Sequence, residues 1–221
     1  MTIEALTAAQ QQRLATWFGT GFPIGAFSYS HGLESAFEAG LVADRDDLTE
    51  WIEGQLLSGS ARNDAILFAE AYRFAPDIEP IAEIAAALSP SAELRAETLN
   101  QGNAFILAIQ QGWPDLHCQI TGEIALPVAA GSACAAAKVP LHASLLAYLH
   151  AFTANIVSAA LRSMPIGQSA GLSVQGQVEA AVSEATEAAL TASLDDLGSA
   201  TPILDWLSAT HETQYSRLFR S

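Results

Sequence analysis

Apolar residues recur along this chain three and four positions apart, and nowhere do they alternate as a half-buried strand requires. Thr7 and Gln10 have the spacing of a capping box, which predicts a helix to about Phe18 with Leu6, Leu14, Trp17 and Phe18 in its stripe. Gly19, Gly21 and Pro23 then force a loop before a second helix, predicted from about Ser30 to Gly40. Asp47 and Glu50 form another capping box, for a helix with Leu48, Trp51, Ile52 and Leu56 on one face. Asn63 or Asp64 is expected to cap the next helix, which ends before Pro76. Pro80 permits a short helix to Leu88, and Ser89-Pro90 has cap and first-turn character for a helix to about Gln111.

Two alanine-rich apolar runs follow, residues 124–139 and 141–161, separated at Pro140. The first is interrupted by Pro127, Gly131 and Ser132, and the second carries His142, His150, Asn155 and Ser158. A lone membrane span would leave those polar groups in lipid at several kcal/mol each, so both are expected to be buried central helices. Gly171 and Gly176 suggest a loop, residues 178–190 an amphipathic helix, and Thr201-Pro202 the start of a last helix through Leu207. The expectation is an all-α protein, one domain over residues 1–221 with about ten helices.

Composition narrows the partners. Half of the 221 residues are hydrophobic, the net charge is −15, and Lys138 is the only lysine. Nucleic acid and anionic lipid would be repelled by such a surface; basic proteins and metal cations would not. An acidic surface serves plain solubility equally well. Two cysteines, Cys118 and Cys134, make neither a disulfide framework nor a CxxC site, and residues 1–4 lack the pattern of a secretory leader. A cytoplasmic location is the expectation.

No catalytic signature is present. There is no GxxxxGK[ST] loop before Lys138, no GxSxG elbow around Ser28, no HExxH, and no repeated Glu-x-x-His. P-loop hydrolysis by this chain is thereby excluded. His31, Glu34 and Glu38 are spaced to share one helix face and form a weak metal candidate; His117 with Cys118 is weaker still. His142 and His150, two turns apart, read as satisfied core histidines.

Two segments fit no core. Residues 22–34 mix Phe22, Pro23, Gly25, Phe27, Ser30, Gly32, Leu33 and Glu34, and the chain closes on His211, Glu212, Tyr215, Ser216, Arg217, Leu218, Phe219 and Arg220. The first resembles the Pro-x-Gly-x-Phe-x-x-Ser-x-Gly-Leu-Glu signature of the urease accessory protein F family (UreF), and the last its His-Glu-x-x-Tyr-Ser-Arg-Leu-Phe ending. A third segment, Arg162, Pro165, Ile166, Gly167 and Gln168, resembles the family's Pro-Leu-Gly-Gln stretch with isoleucine for leucine. Glu93, Leu94, Arg95, Asn100, Gly102 and Asn103 resemble a helix of the family, so the similarity spans most of the chain.

The resemblance implies a homodimeric, non-enzymatic chaperone or scaffold for metallocentre assembly in urease. It would bind UreD/UreH, recruit the GTPase UreG, and act on apo-urease. GTP would be bound by the partner, and nickel would pass transiently with no cofactor held. Residues 211–221 would be a partner-docking tail, loosely held until a partner orders it, with Tyr215, Leu218 and Phe219 as apolar anchors and Arg217 and Arg220 pairing with carboxylates. Residues 22–34, with Arg162 and Gln168, would face a partner, and Arg162 would touch the GTPase as a positioning contact or a finger. The competing reading is a metal-dependent helical enzyme or carrier built on the His31/Glu34 face.

Overall fold

Small side chains decide the centre of the molecule. In α7 (Leu126–Ala136), Val128, Ala129, Ala130, Ala133 and Cys134 are wholly buried, and the helix lies against α4 (Ser60–Phe74) in the broadest helix contact of the fold. Gly131 makes that approach possible: a Cβ there would sit 2.3 Å from the Phe68 carbonyl oxygen. The long α6 (Ala92–Gly112) packs along α7, while α8 (Leu141–Ser163) is covered by α10 (Glu179–Thr191), α9 (Gln168–Gln177) and α4. α1 (Ala8–Trp17) closes one end, where Trp17 meets Phe105 and Trp113 edge-on and Phe18 stacks on Phe105. The remaining helices are α2 (Leu33–Glu38), α3 (Arg45–Ser58), α5 (Glu79–Ala87) and α11 (Pro202–His211).

These elements come from a computed structural model, which describes residues 5–89, 91–118, 120 and 122–220. Among the described residues there are eleven α-helices and no strand, so the all-α expectation holds. The expectations placed on residues 1–4, on Pro90 and on Ser221 lie outside the described residues.

The Thr7–Gln10 capping box is present, with the Gln10 N–H donating to Thr7 Oγ1 at 3.3 Å and the Thr7 N–H to Gln10 Oε1 at 2.9 Å. Other boundaries differ. α3 is capped by Asp44, whose carboxylate takes the N–H groups of Asp46 and Asp47, while Asp47 reaches back to the Ala43 N–H. α4 begins directly after an extended Gly59, so Asn63 and Asp64 lie inside it. Asn63 is free to accept from the Gly198 N–H, and Asp64 from Tyr148. Ser91, not Ser89, caps α6, accepting from the Leu94 N–H. The loop expected at Gly171 and Gly176 is the helix α9: Val174 and Val178, four apart and fully buried, supply a periodicity the glycines masked.

α8 is long and apolar enough by length and composition to cross a membrane, and half of its most apolar stretch is buried in this fold. His142 and His150 are not core residues. His142 is partly exposed and lies 3.0 Å from Glu187; His150 is exposed beside Gln175. Tertiary packing rotates α8 so that Leu145, Leu149 and Ile156 face inward instead.

Candidate functional site

The first signature segment, residues 22–34, is shaped by backbone conformation. His31 and Gly32 both have positive φ, +54° and +77°, so α2 cannot begin before Leu33. Gly32 also touches α11 closely, since a Cβ there would lie 3.3 Å from the Ser208 nitrogen. The expected helix face of His31, Glu34 and Glu38 is therefore lost. His31 turns its Nε2 to Glu97 at 3.1 Å, Glu34 turns to the chain's end, and Glu38 is exposed. Among the described residues no three His, Cys, Asp or Glu side chains are gathered to hold a metal ion. His117 and Cys118 also part, with the imidazole exposed and the thiol buried. Burial raises the Cys118 thiol, and pushes that of Cys134 up to about 12.

Glu34 is the centre of the site. Its Oε1 accepts the Leu218 N–H at 2.7 Å, and its Oε2 accepts the Phe219 N–H at 3.0 Å while facing His211 Nε2 at 3.2 Å. Charge-assisted bonds of this kind are the strong ones. His211, with no exposed surface, sets its Nδ1 2.7 Å from Glu93, and Arg217 bonds the other oxygen of Glu93. Glu212 accepts from the N–H groups of Ala92 and Glu93, completing the cap of α6 that Ser91 begins. Ser35 donates to Gln214 at 2.9 Å, and the Arg220 N–H donates to the Ser28 carbonyl at 2.9 Å.

Arg162 joins the third segment to the other two. Its guanidinium donates to the Phe27 carbonyl at 2.6 Å and lies 4.5 Å from the centre of the Phe219 ring. Nε donates to the Ser158 carbonyl one turn earlier, and partial burial lowers the guanidinium from its ordinary value. Three motifs far apart in sequence thus meet at one place.

Residues 212–220 lie docked against the fold in this structure. Phe219 is buried and Arg217 is paired within the chain, so neither points outward as an anchor or a free cation. Among the residues of the three segments, Tyr215 is fully exposed, Leu218 is 62% exposed and Phe27 69%, and these face outward. Of the other candidates, Phe22 packs in the core 5.0 Å from Phe105, Ser30 is buried, Gly25 makes a left-handed turn, and Pro23 and Gln168 are exposed. Glu93 was missed as a site residue, because a glutamate in a helix's first turn is already explained by the helix dipole.

A second polar centre lies in a cavity of about 870 Å³ walled by Trp17, Phe18, Phe105 and Phe152. Burial pushes His31 down to about 4 against the pull of Asp64, so at neutral pH the ring is uncharged and its contact with Glu97 is a hydrogen bond. Burial drives Asp64 up to about 6, opposed by the Tyr148 hydroxyl that donates to it at 3.0 Å.

The fold and site together define an all-helical protein whose polar network clasps its own C-terminal segment to a glycine-punctuated loop. The family model described as UreF matches residues 42–179. Among similar proteins, each named urease accessory protein UreF, that of Rhodopseudomonas palustris (strain BisB5) is 45% identical over 99% of this chain and 94% of its own. That of Methylorubrum populi is 44% identical over 95% and 98%, and that of Azorhizobium caulinodans 45% over 98% and 99%. The chain belongs to the UreF family. The family model's match leaves out both residues 22–34 and the C-terminal segment, whereas the 99% alignment reaches into both.

Proposed function

We propose that this chain is a non-catalytic scaffold of urease maturation that bridges UreD/UreH and the GTPase UreG while nickel is inserted into apo-urease. The observation that carries this reading is the 45% identity, over nearly the full length, to proteins named urease accessory protein UreF. The protein works as a cytoplasmic homodimer, GTP stays with the partner, and nickel is cargo rather than a resident cofactor. The clasped segment supplies the docking surface: Tyr215, Leu218 and Phe27 stand outward on a backbone that Glu34, His211 and Arg162 hold in place. Arg162, bonded to Phe27 and stacked on Phe219, acts on any partner through that surface and not as a finger reaching a nucleotide. The two outward side chains furthest along the chain give the cleanest test. Co-purification with UreD/UreH and UreG is expected for the native chain and lost on the double substitution Tyr215→Ala, Leu218→Asp. Undiminished capture by the double variant would remove the docking role, and no capture by the native chain would remove the scaffold reading itself.

A further inference from the structure

The cavity of about 870 Å³ holds chemistry that the C-terminal clasp does not use. Every residue from Phe18 to Phe27 lines it, so the loop leading into the first signature segment forms one wall. Trp17, Phe105 and Phe152 extend the aromatic lining, and Asp64 and Tyr148 stand among these rings. A space of this size, mostly apolar and with a few converging polar groups, has the character of a small-molecule site.

The polar groups are one-sided in charge. Asp64, Glu97 and Asp205 bring carboxyl groups to the wall, and none of the described lining residues is a lysine or arginine. Asp64 accepts from the Tyr148 hydroxyl at 3.0 Å, and among the described residues it forms no ion pair with an arginine or lysine. Burial pushes Asp64 up only to about 6, which leaves it mostly ionised at neutral pH, and the neutral His31 ring supplies no counter-charge. A carboxylate drawn out of bulk water in this way costs free energy that a cationic ligand offsets. Aromatic faces attract the same charge, and rings flank the polar groups: Phe18 lies 6.0 Å from Tyr148, and Phe152 5.0 Å from His31. A bare metal ion is not matched, because among the described residues no three His, Cys, Asp or Glu side chains converge to ligate it.

We propose that this cavity binds a small organic cation, a primary ammonium group on an aromatic or apolar body, with Asp64 as its principal partner. The head donates to the Asp64 carboxylate beside Tyr148, and the body lies against Phe18, Phe105 and Phe152. A head with N–H groups suits a carboxylate, which accepts hydrogen bonds, better than a quaternary head that donates none. The site is separate from the clasp around Glu34 and stands independently of the scaffold reading.

The test compares 2-phenylethylammonium with its neutral isostere 2-phenylethanol on the full-length chain at neutral pH. Isothermal titration calorimetry is expected to give one saturable site for the ammonium, at least about 10-fold tighter than for the alcohol. In 15N nuclear magnetic resonance spectra the ammonium is expected to shift the Gly21 amide and the Asn155 side chain, both in the cavity wall. The Leu172 amide, on an exposed residue outside it, should stay. Asp64→Asn should weaken the ammonium at least about 10-fold and leave the alcohol unchanged. Equal affinity of the two compounds for the native chain, or no binding of the ammonium, would overturn the proposal whatever the variant does. So would shifts confined to residues outside the cavity, or native affinity for the ammonium in a folded Asp64→Asn chain.

Discussion

Replacing Glu34 with alanine should release the C-terminal segment and leave the helical core standing. The carboxylate accepts the Leu218 and Phe219 N–H groups at 2.7 and 3.0 Å and faces His211 at 3.2 Å. Hydrogen bonds to a charged group contribute about 1.5–3 kcal/mol each, so the two backbone bonds alone amount to roughly 3–6 kcal/mol of docking free energy. Water can satisfy the Leu218 N–H after the change, but the Phe219 N–H belongs to a buried residue and would lose the Glu34 oxygen that accepts it, so undocking is the cheaper response. Alanine is itself a good helix former, and α2 loses only the modest dipole benefit of an acidic first turn. Amide hydrogen exchange read on peptides covering residues 217–220 is the assay. Protection there should fall by at least about 100-fold, since each 1.4 kcal/mol is a factor of ten, while peptides from α7 keep theirs. A fall of less than about 10-fold would show that Glu34 contributes under about 1.4 kcal/mol and that something else holds the segment.

Much of the fold was legible because its signals are local. The Thr7–Gln10 box, the proline at the start of α11 and the stripe of α10 act through neighbours in sequence, and each gave the right helix. Errors arose where a distant contact settled the conformation. The start of α2 is delayed by the turn at His31 and Gly32 against Ser208, and α9 is held helical across two glycines by burial of Val174 and Val178. The site divides in the same way. Glu34, His211, Glu212, Arg162 and Arg217 were recognisable as motif residues, yet what each touches was not. The pairing of Glu34 with the Leu218 and Phe219 amides joins residues 184 and 185 positions apart, and no periodicity encodes that. Outward-looking roles were assigned to Phe219 and Arg217 because a chain terminus usually frays; here a buried ring and a carboxylate hold it.

Substitutions at Arg162 separate charge from geometry. Lysine at position 162 keeps the positive charge but lacks the planar fork that bonds Phe27 and lies over Phe219, so Arg162→Lys should expose the Arg217–Leu218 bond to trypsin nearly as fast as Arg162→Ala does. Digestion at the native rate in the lysine variant would mean that charge alone suffices. In the cavity, His31 and Asp64 should give stability opposite dependences on pH. His31 falls from 6.5 to about 4 on folding, so the unfolded chain binds more protons between those values and stability rises with pH there. Asp64 climbs from 3.8 to about 6, so the folded chain binds more protons and stability falls as pH rises through nearly the same window. The two largely cancel in the native protein, and each substitution unmasks the other residue. Between pH 4 and 6, urea unfolding should show stability rising with pH more steeply in Asp64→Asn than in the native chain. In His31→Asn the slope should shift the opposite way, each change being about 1–2 kcal/mol across the window once the partial exposure of the cavity wall is allowed for. Slopes that shift in the same direction in both variants would show that burial does not govern these two groups as the cavity geometry requires.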